Sequence, residues 1–166
     1  MPDDYEDLRD CALTEELETE LVRNQRECVF MWTNVGGEAF GVVMSYLPKD
    51  GVFWLTAAEH RARISAIRRF PRASICISST GTRVGPNKTI SYKGSCTVLN
   101  DQTTKDWFYP EFAEFLMGKG PQAQAFMKYL DSPGRVVVKF EPDYSLSFDG
   151  DLLWHCLLYT SDAADE

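Results

Sequence analysis

Residues 53–78, FWLTAAEHRARISAIRRFPRASICIS, constrain the fold more tightly than any other part of this chain. An apolar run at 53–56 follows the turn residues Lys49, Asp50 and Gly51 and predicts a buried strand. From Ala57 the period changes: Ile64 and Ile67 lie three apart with Ala66 beside them, one apolar face of a helix, while Arg61, Arg63, Arg68 and Arg69 spread round the rest. Pro71 ends that helix, because proline disfavours helical geometry in the residue before it. Residues 73–78 then alternate, Ile75 and Ile77 against Ser74, Cys76 and Ser78, which is the period of a strand. Arg61 and Arg63 fall at the loop-to-helix junction, where backbone N–H groups lack partners and the helix dipole is positive. Two guanidinium groups there suit a phosphate. Exposed arginines in an acidic chain also pair with carboxylates, so local chemistry alone leaves both readings open.

Around this unit the other segments read as follows. Residues 1–13 are rich in acids and form an expected flexible lead-in. Thr14 caps a helix over 15–25, with Leu17 and Leu21 as its buried stripe. Strands are predicted at 28–33 and 39–46, joined by a hairpin at Asn34, Val35, Gly36 and Gly37; with the strand at Phe53 they suggest a three-stranded meander. The loop STGTRVGPNKT at 79–89 is not a Walker phosphate loop, since Asn87 rather than glycine precedes Lys88 and a strand rather than a helix follows. It reads as a hairpin loop into a strand at 89–99, where Gly94 marks a bulge or a close backbone approach. Helical spacing recurs at 103–117 (Phe108, Phe112, Phe115, Leu116) and 121–130 (Phe126, Met127, Leu130), with Pro110 and Pro121 placed in first turns. A β-branched strand at 135–141 is broken at Pro142 and Asp143, and extended chain resumes at 144–148.

Composition removes several function classes. A net charge of −8 repels nucleic acid. The five cysteines have no C-x-x-C pair, and with two histidines no metal site is expected. No apolar run reaches membrane-spanning length, and the acidic amino terminus lacks the apolar core of a secretory signal, so a cytoplasmic protein is expected. No G-x-S-x-G or H-E-x-x-H motif is present, and no catalytic side chain is assigned.

The segment HRARISAIRRFPRAS, preceded by GVFWLT and followed by KGSC and FEPDYSLSFDG, resembles the FMN-binding split-barrel family named after pyridoxamine 5'-phosphate oxidase, over residues 15–154. The resemblance implies a mainly β fold with helices: a six-stranded antiparallel split β-barrel flanked by short helices, over a single domain at 14–155. It implies a homodimer with FMN in the groove between subunits and a small-molecule substrate beside it. A cofactor that carries out the chemistry also accounts for the lack of a protein nucleophile. The family's basic phosphate-binding positions correspond to Arg61 and Arg63, while Ala62 stands where better-studied oxidases carry a further basic residue. Val43, Met44 and Ser45 correspond to the strand along the flavin ring; Thr56, Ser78 and Lys88 are further cofactor-binding candidates, and Trp107 is a candidate cover. A module that binds flavin or heme without turnover and a deazaflavin-dependent reductase are the alternatives the resemblance also allows. Pyridoxal phosphate synthesis is not expected, because the substrate-phosphate residues of true oxidases are not identifiable. Residues 156–166, CLLYTSDAADE, resemble translated adapter sequence and are expected to be non-native.

Overall fold

The computed structural model describes residues 8–154. The start of the acidic lead-in and the expected foreign tail lie outside the described residues. A 3-10 turn at Arg9–Cys11 leads into α1 (Glu15–Asn24), whose first turn is capped by Thr14: its Oγ1 accepts from Leu17 N at 3.3 Å. Cys11 and Leu13 are buried, so the chain is already packed against the core before α1 begins.

Seven strands follow: β1 (Glu27–Thr33), β2 (Ala39–Ser45), β3 (Leu47–Lys49), β4 (Val52–Ala58), β5 (Arg72–Ser78), β6 (Lys88–Leu99) and β7 (Arg135–Asp149). They form one antiparallel sheet in the order β2-β1-β5-β6-β7-β4-β3. Between β4 and β5 lies α2 (Ala62–Arg69); α3 (Gln102–Met117) and α4 (Pro121–Leu130) lie between β6 and β7.

The order of strands dictates the shape. β2 and β3 are the two edges of the sheet, yet only Tyr46 separates them in sequence. Seven strands laid flat would set those edges roughly 29 Å apart at ~4.8 Å per strand, whereas Ser45 and Leu47 can be at most about 7 Å apart. The sheet therefore rolls into a barrel. Tyr46 is the pivot: it is fully buried, its N–H donates to Arg26 O at 3.2 Å, and its hydroxyl donates to Val22 O at 2.8 Å, tying the seam to α1. The predicted meander is corrected here. β2 pairs with β1 and β3 with β4, but β2 and β4 share no ladder, because the chain crosses the seam at Tyr46. The short β3 also makes seven strands where six were expected.

The barrel interior is one core, built from alternate residues such as Phe30, Leu55, Ile75, Ile90 and Phe140 and closed by Leu21 of α1 and by Ile64 and Ile67 of α2. A second core lies on the outer face of β4 and β7, where Phe108, Phe112 and Leu130 of α3 and α4 cover Leu47 and Val137. Each strand of that part of the sheet is thus covered on both faces, which is why 136–138 reads as an unbroken valine run rather than an alternation.

Three further expectations change. β4 runs on to Ala58, with Phe53, Leu55 and Ala57 all pointing inward, so helical geometry begins at Ala62 and not at Ala57. Pro110 sits inside α3 rather than in a first turn. Pro142 does not break β7: Lys93 pairs with Tyr144 and Gly94 with Pro142, so Asp143 is the extra residue of a β-bulge. The bulge gives Asp143 a partner, since its carboxylate is bound by the Arg72 guanidinium. Gly94 is both bulge and close approach, as its position predicts.

Candidate functional site

The amino terminus of α2 is built by strand pairing. Arg61 is its N-cap residue with extended backbone, and no side chain caps the helix. Its N–H reaches back to Ala58 O at 3.1 Å, while Ala58 pairs with Arg135 at the start of β7 and Glu59 N donates to Gly134 O at 2.7 Å. Those bonds bring a third arginine, Arg135, to Arg61 and Arg63. The nearest acid in sequence does not neutralise them, because Glu59 pairs with Arg68 at 2.7 Å. Among the described residues none of the three arginines has an ion-pair partner.

Two of the three guanidiniums present buried, unpartnered nitrogens: Nε of Arg63 and Nε of Arg135 make no hydrogen bond. A buried donor without an acceptor costs about 1–3 kcal/mol, more when charged, so an acceptor placed at either nitrogen would be stabilising. Burial depresses the Arg63 pKa from its usual range, and repulsion from Arg61 and Arg135 depresses it further. Arg135 is steadied from the other side by the Tyr129 ring, 5.2 Å from its Cζ.

Thr56 belongs to the same neighbourhood. On the outer face of β4, one residue pair along from Ala58 and Arg135 on that face, its hydroxyl donates to Val136 O at 2.8 Å. Facing it from α3 is Tyr109, 3% exposed, whose hydroxyl lies near Thr56 and feels the charge of Arg135. Burial raises the Tyr109 pKa, so this phenol stays a neutral donor.

The ring-contact candidates line the other lip of the seam. The β3–β4 register pairs Leu47 with Trp54; continued through Tyr46 it would set Ser45 opposite Thr56, but β2 has by then turned away to pair with β1. Val43 is 65% exposed and Ser45 half-buried on the outer face of β2, whereas Met44 points into the barrel core. Val43, Ser45 and Thr56 therefore lie on the outward faces of the two strands either side of the seam, with the arginine cluster beyond the end of β4.

Ser78 and Lys88 lie elsewhere in the same subunit. Lys88 pairs with Asp149, at the opposite end of the 15-residue β7 from Arg135. Its ammonium is buried between Asp149, at 3.2 Å, and Asp151, so it is already neutralised. Ser78 neighbours it across β5 and β6, its hydroxyl within 2.9 Å of Thr80 Oγ1. Trp107 stands edge-on to Trp54 at 4.8 Å with Lys49 Nζ 4.4 Å over its ring, a packing position on α3.

Arg135 and Tyr109 were not legible in the sequence. Arg135 opens a strand more than seventy residues after Arg61, and only the pairing of Ala58 with Arg135 reveals the cluster. Among the described residues no group of His, Cys, Asp or Glu could hold a metal ion, and no helix is long and apolar enough to cross a membrane.

Strand order and flanking helices define a class of fold, an antiparallel split barrel similar to that of pyridoxamine 5'-phosphate oxidase-like proteins, with three arginines gathered at one corner. No family model matches the chain, and no curated protein is similar to it in sequence. Solved structures share its fold. They include a conserved hypothetical protein from Mycobacterium tuberculosis, 18% identical, with a TM-score of 0.73 over 85% of this chain and 88% of that one. An F420 reductase aligns at 15% identity and a TM-score of 0.62, over 81% of this chain and 98% of its own. A predicted pyridoxamine 5'-phosphate oxidase from Listeria innocua aligns at 18% identity and a TM-score of 0.58, over 80% and 98%. At such identities the likeness is one of fold.

Proposed function

We propose that this protein is a cytoplasmic, homodimeric FMN-binding oxidoreductase acting on a small molecule, with Arg61 and Arg63 holding the cofactor phosphate. The observation that carries the reading is the guanidinium pair at the uncapped start of α2, free of carboxylates among the described residues and holding a buried donor without an acceptor. The residues fit the group: a phosphate would supply the missing acceptor and relieve the repulsion that depresses the Arg63 pKa. When bound, a flavin supplies hydride or electron transfer at its ring. The chain's own part is binding, orientation and exclusion of water. Arg61, Arg63 and the first N–H groups of α2 fix the charged end. Val43, an exposed aliphatic on the seam, offers an apolar surface to a planar ring, and a second copy packed over this face would cover it from water.

Mass spectrometry of the denatured protein should release FMN, and the purified protein should be yellow. Replacing Arg61 and Arg63 together by alanine should weaken FMN by about 2–4 kcal/mol, roughly 30- to 900-fold, if each contributes a charged hydrogen bond. A colourless protein that takes up no flavin on titration overturns the reading. Reduction of the bound flavin by a nicotinamide separates an enzyme from a flavin-binding module.

A further inference from the structure

A cavity of about 300 Å³ opens at the other end of β4 from the arginines, where the β3–β4 turn meets α1 and the bulge of β7. Phe53 and Ala58 lie roughly 17 Å apart along that strand, so the cavity has no part in the corner at Arg61, Arg63 and Arg135. Its walls are apolar: Val22 of α1, Pro48 of β3, Phe53 of β4, Tyr92 of β6 and Pro142 of β7. The Phe53 and Tyr92 rings are 4.9 Å apart, and Phe53, 4% exposed, packs in turn on Tyr46 and Phe140. The barrel core thus fixes one aromatic wall before any ligand arrives.

The charges around that wall decide what fits. Glu18 on α1 and Asp50 in the turn both line the cavity, and among the described residues neither is in an ion pair. Lys49 does not neutralise them, because its ammonium is held 2.7 Å from the Glu111 carboxylate and lies over the Trp107 ring. Arg23 is the remaining charge, which leaves two carboxylates against one guanidinium. Burial pushes the Tyr92 phenol up to about 12 and the Glu18 charge adds to the rise, so that carboxylate stands close to the aromatic wall. A carboxylate beside an aromatic face holds an ammonium from two sides, by its charge and by the negative face of the ring. An anion would be repelled there, and a neutral molecule would gain only the apolar contact. We infer that this cavity is a binding site for a small organic ammonium on an aromatic body, with Glu18 as its counter-charge and Phe53 and Tyr92 as its apolar wall. The site goes beyond the flavin reading and does not rest on it.

The test titrates the full chain by isothermal calorimetry with phenethylamine, its neutral counterpart 2-phenylethanol and the anion 3-phenylpropanoate. Phenethylamine should saturate with a dissociation constant of about 1 mM or tighter. It should bind at least about fivefold better than the alcohol, and the anion should not bind. Glu18→Gln keeps the size of the side chain and should remove most of that ratio, while Arg23→Gln removes the opposing charge and should raise amine affinity about twofold. Tyr92→Leu should weaken the amine about three- to tenfold. Opposite signs for two substitutions on the same helix separate an electrostatic site from a general disturbance of α1. Where Glu18→Gln fails to fold, Asp50→Asn carries the same test, because asparagine accepts the left-handed backbone of that position, φ 54°. Absence of saturation by phenethylamine, equal affinity for amine and alcohol, an amine affinity untouched by removal of the carboxylate, or a fall in Arg23→Gln each overturns the inference. None of these outcomes involves flavin, so the flavin reading stands or falls by its own titration.

Discussion

Gly94→Ala tests the register that places Arg135. A Cβ at position 94 would lie 2.1 Å from Glu141 O and 2.8 Å from both Glu141 C and Pro142 Cα, all of them backbone atoms of β7. A carbon and an oxygen need more than 3 Å, so β7 would have to move by about 1 Å, and no rotamer change can absorb that. Overpacking of this kind costs about 1–3 kcal/mol, and two ladder hydrogen bonds lost at the bulge add about 1 kcal/mol each. The loss of unfolded-chain freedom from glycine returns about 0.4–1 kcal/mol. The net is about 3 kcal/mol, or roughly 6–12 °C in Tm for a chain of this size. Gly41→Ala is the control: its nearest neighbour is Val29 Cγ1 at 3.1 Å, the tip of an exposed side chain that can turn away, and its cost should stay within about 0.5 kcal/mol. Differential scanning calorimetry compares the two variants. A Gly94→Ala protein that melts within about 2 °C of the Gly41→Ala protein would refute the bulge and, with it, the alignment of Arg135 beside Ala58.

Acid should weaken the bulge through its ion pair. The Arg72 guanidinium holds the Asp143 carboxyl below the usual range, so the pair contributes fully above the unfolded-state value near 3.9 and loses its contribution as pH falls through the lower folded-state value. The stability difference between parent and Asp143→Asn should thus be flat from pH 7 to about 5 and close as pH drops below 4; a constant difference down to pH 2 would contradict it. Cys28 and Cys96 are both pushed up to about 12, chiefly by burial, which leaves a thiolate fraction of about 10⁻⁴ at pH 8. Iodoacetamide at that pH should label neither until urea unfolds the barrel, and fast labelling of either in the native protein would show that the core is open.

What sequence determined here was local. Alternation at Ile75 and Ile77, the spacing of Ile64 and Ile67 and the block at Pro71 specify strand, helix and strand because each depends on neighbours within one or two turns of chain. The junction where Arg61 and Arg63 meet the helix dipole was legible for the same reason. Gly94 also announced itself, since a glycine weakens a long strand and is kept there where a bulge or a neighbouring backbone leaves no room for a side chain. Tertiary structure alone decided the rest. Rolling the sheet at Tyr46 put β2 and β3 on opposite edges and turned an expected meander into a seam. The bulge at Asp143 carried β7 past a proline that reads as a break. Pairing between residues far apart in sequence brought Arg135 to the arginine pair and sent Lys88 to two carboxylates at the far end of β7. Long-range pairing has no signature in local periodicity: it is selected by which faces can be buried together, and that is a property of the closed barrel rather than of any window of residues.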